Sequence, residues 1–280
     1  NIVRFPCQKM RLPKMRHGCL IDEKDRKKKR EIHPEGAKMM KLFRAPLSGL
    51  FAILLLFILL ITSFELVCYS DPGYYRAEFE KYDVAGEMEY YRGESISLDS
   101  LSQVIRQTML YLRGRRGNLI VETEINGKMQ EFYQPEEKSH MADVRRLFLR
   151  ALVLRGMAIL SCLAILGSLI LFEPERAVWD LSRSFTLLCL LLLLLSLAIG
   201  ALMLCDFTKY FTLFHELFFP QGNWSFDPRE SRMIVMLPEN FFLDTALRVL
   251  LCFFAFLLLL LLPSVRYLLW KRGNHKAPPS

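Results

Sequence analysis

The sequence predicts a membrane protein: four transmembrane α-helices carrying a small α+β extracytoplasmic module that contains a β-hairpin. Three observations carry this. Uncharged runs at 47–64, 156–172, 184–205 and 249–265 are 18, 17, 22 and 17 residues long. At 1.5 Å per residue each crosses much or all of a ~30 Å hydrocarbon layer. The interval between the first two runs is long and mixed in polarity, enough for a folded module. Within it Asn126-Gly127 separates two strand-like segments, the strongest short-range hairpin signal. The average composition, 52% hydrophobic against 24% charged, is close to that of soluble proteins. Distribution, rather than average, therefore excludes a purely soluble, collagen-like or disordered chain.

Taken in order, residues 1–45 read as a basic cytoplasmic segment. Residues 1–46 hold 14 Lys or Arg and 5 Asp or Glu, a balance of +9 in a chain whose total is +8. The densest run, 24–30, precedes the first span, which the positive-inside rule reads as an N-terminus in the cytoplasm. A topology signal accounts for that run better than nucleic-acid or anionic-lipid binding does, and no nucleic-acid partner is expected. Met39 and Met40, followed by Lys41 and Arg44, would make a conventional short N-terminus, so residues 1–38 are expected to be dispensable. Residues 46–68 form the first transmembrane helix. A cleaved signal peptide fits less well, because the run exceeds a signal core and no small-x-small site succeeds it.

Residues 69–146 then form the outer module. Leu98, Leu101, Val104, Ile105, Met109 and Leu112 recur at helical period over 97–112, ended by Gly114 and Gly117. Segments 119–125 and 128–133 flank the hairpin turn. A further helix starts near Pro135, with Glu136 and Glu137 suited to its positive end. Since neither Gly nor Pro interrupts 138–155, it is expected to run unbroken into the second transmembrane helix, 147–172. A cytoplasmic link at 173–183, a third transmembrane helix at 184–205, an outer loop at 206–245, a fourth transmembrane helix at 246–270 and a tail at 271–280 complete the order. Arg266, Lys271, Arg272 and Lys276 agree with a cytoplasmic C-terminus.

Little chemistry is available to such a chain. Seven Cys without CxxC spacing indicate neither a disulfide scaffold nor a zinc site; Cys68 and Cys205, both near the outer face, are expected to remain unpaired. The sequon Asn223-Trp224-Ser225 has no other sign of a glycosylating route beside it, and Trp224 reads as part of the interfacial aromatic belt. There is no Gly-rich phosphate loop, HExxH or GxSxG elbow. The spans are almost free of ionisable groups, which disfavours a transporter. Of five histidines, His17, His33 and His275 fall in the tails. His140 and His215 both fall outside, within a few turns of a span end, where two groups that titrate near neutrality could meet. Two structural histidines would satisfy the same pattern.

Lys138-Ser-His140-Met-Ala-Asp143-Val144 before the second span, and Phe211-Thr-Leu-Phe-His215-Glu-Leu-Phe-Phe219 with Asn223-Trp224 and Pro238-Glu239-Asn-Phe241-Phe242 before the fourth, resemble bacterial integral membrane proteins of the lipoprotein intramolecular transacylase (Lit) family. The resemblance covers roughly residues 40–270. It implies an acyltransferase acting on diacylated lipoproteins among membrane lipids, without a cofactor or metal. The sn-2 acyl chain of an S-diacylglyceryl cysteine would pass to that cysteine's α-amine, leaving a lyso-form. The enzyme would sit in the bacterial cytoplasmic membrane with its site on the outer face.

The residues suit that chemistry on their own terms. An α-amine of pKa about 8 must lose a proton to attack an ester, and an imidazole is the natural base, with a second available to protonate the departing glyceryl oxygen. His140 and His215 are the catalytic candidates. His140 is preferred as base because Asp143, one turn on, could hold its tautomer as the carboxylate does in a triad; Asp143 could equally pair with Arg146 or Arg150. Arg150 and Arg155 either bind substrate oxygens or snorkel, and Glu239 either orients His215 or caps locally. The competing reading is a non-catalytic membrane receptor or assembly protein whose outer module binds lipid or protein.

Overall fold

The computed structural model describes residues 34–71, 73–172 and 174–274. The basic run at 24–30, Glu173, His17, His33, His275 and Lys276 lie outside the described residues. Four long helices make the membrane bundle: α1 (Pro34–Tyr69), α5 (Pro135–Phe172), α6 (Pro174–Cys205) and α9 (Glu239–Asn274). Each contains a stretch long and apolar enough to cross a membrane. Their inward faces meet in two patches. Ala52, Leu56, Phe185, Cys189, Phe253 and Leu257 pack together, as do Ile165, Leu169 and Ala177. Outward leucines such as Leu191, Leu194 and Leu259 stay exposed. On a soluble protein such a surface would aggregate; here acyl chains are its solvent.

Three elements differ from the sequence expectation. Helix α1 begins at Pro34, well before the apolar run, with Pro46 inside it. The link expected at 173–183 is helical from Pro174 onward. A proline is tolerated in a first helical turn, and residues 175–183 hold neither Gly nor a second Pro to stop the helix. Helices α5 and α6 are therefore separated by Glu173 alone. The polar stretch after α1 holds two short helices, α2 (Tyr74–Lys81) and α3 (Val84–Arg92). Their amphipathicity is modest, and α3 is held by an Asp83 cap on Gly86 N–H and by left-handed Gly93 at the far end.

The rest of the module agrees with its sequence signals. Helix α4 (Leu98–Leu112) starts where the Ser97 hydroxyl accepts from Ser100 N–H, and it buries Leu101, Val104, Ile105 and Leu112. Strands β1 (Glu122–Ile125) and β2 (Lys128–Glu131) pair antiparallel, Ile125 opposite Lys128. Asn126 and Gly127 take φ of 52° and 72°, the left-handed pair a type I′ turn requires. Phe79, Val84, Met88, Val121, Phe132 and Met236 close the core. Met236 belongs to α8 (Arg232–Met236), so this part of the segment between the third and fourth long helices is packed into the module, whereas α7 (Phe207–Phe218), which precedes it, buries no residue.

Helix α5 runs for 38 residues without a break, as its sequence indicates. At 1.5 Å per residue that is roughly 57 Å, about twice the hydrocarbon thickness. Its N-terminal turns therefore belong to the polar module and its C-terminal turns to the bundle. Cys68 and Cys205 are both free thiols, one buried and one exposed.

Candidate active site

His140 lies on the N-terminal part of α5, ahead of the apolar stretch, and is 7% exposed. His215 lies in the last turn of α7. Seventy-five positions apart in sequence, the two imidazoles face each other with ring centroids 6.1 Å apart and planes inclined by 30°. Aromatic rings hold them there. Phe219, the residue that ends α7, sets its ring 5.0 Å from His140 and 5.7 Å from His215. Trp224 lies 5.1 Å from His215, and Phe226 lies 5.9 Å from His140.

Both rings line a cavity of about 250 Å³ where the module meets the bundle. Its walls come from three membrane helices, through Phe64 of α1, Val144 and Phe148 of α5 and Phe242 of α9, with Phe211 and Phe214 of α7. Apart from the histidines the lining offers few polar groups. The Thr245 hydroxyl donates to the Phe241 carbonyl at 2.8 Å and lies 2.6 Å from the Tyr74 hydroxyl. The chamber is an apolar space with two bases in its wall, suited to a ligand that is mostly hydrocarbon with one reactive head.

The two imidazoles are not equivalent. His215 Nδ1 lies 2.8 Å from the Phe211 carbonyl oxygen. A carbonyl can only accept, so Nδ1 carries the hydrogen and Nε2 keeps its lone pair. His140 Nδ1 has no partner among the described residues. Burial pushes the His140 pKa down to about 4, with repulsion from protonated His215 adding to it. Burial also lowers that of His215, which the bond to Phe211 partly offsets. Both groups are therefore neutral at pH 7 and available as bases.

These shifts make stability depend on pH. The unfolded chain takes up protons at these positions near pH 6.5, whereas the folded chain resists until about pH 4 at His140. The unfolded state thus binds more protons between those values, and stability falls as pH drops from 6.5 toward 4. Histidine-selective ¹⁵N NMR on the detergent-solubilised protein should show His140 still neutral at pH 5.5. A midpoint at or above 6.5 would contradict the burial argument.

The remaining sequence candidates fall elsewhere. Asp143 does not bond His140. Its Oδ1 pairs with Arg146, and its Oδ2 accepts from Gln221 Nε2 at 2.6 Å and Asn223 Nδ2 at 2.9 Å. The support expected for a His140 base is spent on another loop, since i to i+3 spacing sets neighbours on a helix but not where they point. Arg155 pairs with Glu65 of α1, whose other oxygen lies 3.3 Å from Arg113. Arg150 is exposed and makes no ion pair among the described residues. Glu239 opens α9 and, like both arginines, does not line the histidine cavity.

Sequence reasoning read Glu137 only as a helix-start residue and missed its bonds to Ser231 and Met233, and it missed Glu65 and the placement of Trp224. Glu137, one turn before His140 and 1% exposed, accepts from Gln134 N–H at 2.7 Å, the Ser231 hydroxyl and Met233 N–H at 2.9 Å. A carboxylate three residues before a candidate histidine was the available signal. Glu65, the acid that ends the first apolar run, was the signal for a cationic partner.

The family model described as lipoprotein intramolecular transacylase Lit matches residues 49–242. No curated protein matches the sequence. Among solved structures, the membrane-integral lipoprotein intramolecular transacylase Lit from Bacillus cereus superposes with a TM-score of 0.62 at 21% identity, covering 85% of this chain and 99% of that one. A variant of the Bacillus cereus protein with one histidine changed to alanine gives a TM-score of 0.63 at 18% identity, with coverages of 86% and 100%. At these identities the structural likeness speaks to the fold, and the family match carries the relationship.

Proposed function

The chain belongs to the lipoprotein intramolecular transacylase (Lit) family of membrane acyltransferases, and from that premise we propose that it moves the sn-2 acyl chain of an S-diacylglyceryl cysteine to the α-amine of the same cysteine, using His140 and His215. The observation that carries the reading is the pair of neutral imidazoles, 6.1 Å apart, in the wall of an apolar chamber shared by the membrane helices and the module.

His215 is the base. Its Nδ1–H is anchored on the Phe211 carbonyl, which turns the Nε2 lone pair outward, while the carboxylate that would have supported His140 is engaged elsewhere. The amine attacks the sn-2 ester carbonyl, and its proton passes to His215. Collapse of the tetrahedral intermediate breaks the bond to the glyceryl oxygen, and His140 mediates proton delivery to that oxygen. An amide forms, an ester is lost, one proton moves from nitrogen to oxygen, and both imidazoles return to neutrality. Because amine and ester belong to one molecule, holding them together supplies much of the acceleration. The dry chamber keeps water from the ester.

This reading puts the module and its site on the outer face of the bacterial cytoplasmic membrane and both termini in the cytoplasm, with the lipoprotein's acyl chains reaching the chamber from the bilayer. The test is expression in cells that lack other lipoprotein N-acylation, followed by mass spectrometry of a lipoprotein's N-terminal peptide. Transfer within one molecule leaves the mass unchanged but places one acyl group on nitrogen, so the fragment retaining the amine carries a single acyl chain. Peptides with a free amine and both chains on glycerol, from cells containing well-folded protein, would reject the proposal.

A further inference from the structure

Between α7 and α8 the chain crosses the histidines as a strap without regular structure, residues 219–231, and it brings Phe219, Trp224 and Phe226 onto them. The two ends of this strap are fastened to the same helix, one turn on either side of His140. At the far end Glu137 takes Ser231 and Met233, while Gln134 donates to the Glu230 carbonyl at 2.6 Å and Arg92 to the Arg229 carbonyl at 2.8 Å. The near end is different. Among the described residues, Asp143 is the single group outside the strap that hydrogen-bonds residues 220–226, through the Gln221 and Asn223 amides.

We propose that Asp143 is a positioning residue, a latch that seats the strap, and with it Trp224, against His215. The asymmetry of the two ends supports this. Glu137 is deeply buried with three donors, whereas the Asp143 contacts lie at the surface, with Gln221 exposed and Asn223 half-buried. Gly222, between the two amides, has φ of +78°, a conformation that other residues rarely adopt and that turns both side chains toward one carboxylate oxygen. A chamber of about 250 Å³ is small beside the 300–1,000 Å³ usual for ligand sites, and lifting the strap would enlarge it for a lipid head. The near end is where that costs least: it has one anchor, solvent access and a glycine. Closing the latch returns Phe219 and Trp224 to the imidazoles after the lipid has entered.

The activity arm of the test rests on the transacylase reading; a fluorescence arm does not. Asn223→Asp sets two carboxylates against each other and should lower kcat about tenfold with a melting temperature close to wild type. Adding Asp143→Asn to that chain restores an amide facing a carboxylate, with the donor now on α5, and should return kcat to within about twofold. Asp143→Ala should resemble Asn223→Asp. In a Trp179→Phe, Trp270→Phe background Trp224 is the remaining tryptophan. Its emission without substrate should be more open to acrylamide quenching in both single variants and protected again in the double exchange. A double exchange no better than Asn223→Asp alone, or single variants with wild-type quenching, would overturn the latch. Wild-type protein that converts no lipoprotein yet shows the quenching pattern would instead count against the transacylase reading and leave the latch standing.

Discussion

Replacing His140 or His215 with alanine is expected to lower transacylation by at least about 100-fold while leaving the protein folded. A positioned acid or base contributes typically 10²–10⁴ to rate, and the histidine left in the lining has its own proton transfer to make, so it does not replace the one removed. The two losses should be far from additive, since a proton relay with one member removed is already broken. The structure also says why the fold survives. His140 is buried with an unsatisfied Nδ1, so its removal relieves a desolvated polar atom even as it opens space. For His215 the lost bond to Phe211 lies within one helical turn. Lipopeptide conversion by purified variants, with circular dichroism and melting temperature as controls, checks both halves. Conversion within tenfold of wild type in either variant would remove that histidine from the mechanism.

Glu137→Ala is expected to do the reverse, costing about 4 kcal/mol of stability. Hydrogen bonds to a carboxylate are worth about 1.5–3 kcal/mol each, and three donors converge here: Gln134 N–H, the Ser231 hydroxyl and Met233 N–H. Alanine leaves all three facing a void inside the module. The first also closes the start of α5, in the manner of a capping box. Glu137→Gln keeps one acceptor oxygen and should lose about half as much. Chemical denaturation in detergent micelles, read by far-ultraviolet circular dichroism, measures the loss. A change below about 1 kcal/mol would mean that the strap's far end is held by its apolar contacts and by the Gln134 and Arg92 bonds, without Glu137.

These two expectations rest on information of different visibility. The spans were legible because a bilayer demands long apolar helices, and the hairpin because Asn126-Gly127 is nearly obligatory for a two-residue turn. Helices α2 and α3 were not, being short, polar and stabilised by tertiary contacts such as Phe79 and Met88 in the core. The helical character of 174–183 escaped because charged residues suggest a loop, whereas Pro174 opens a helix. At the site, scarcity made His140 and His215 legible. Asp143 stood out equally, yet its partners arrive from a segment about eighty residues away, and no local rule says which way a carboxylate on a helix will be drawn. Trp224 was misread for the same reason: an aromatic ring near a membrane boundary is ordinary until the strap lays it on His215.

Helix α5 also ties the reaction to the thickness of the bilayer. From the turn that carries His140 to Phe172 it has no proline, bulge or gap at which to bend. Membranes that tilt a spanning helix to match its length move whatever the helix carries. Here the load is the His140 imidazole, so α5 behaves as a lever with one arm immersed in hydrocarbon and the other aiming that ring. The Glu65 grip on Arg155, near the middle of that lever, lies where a pivot would be.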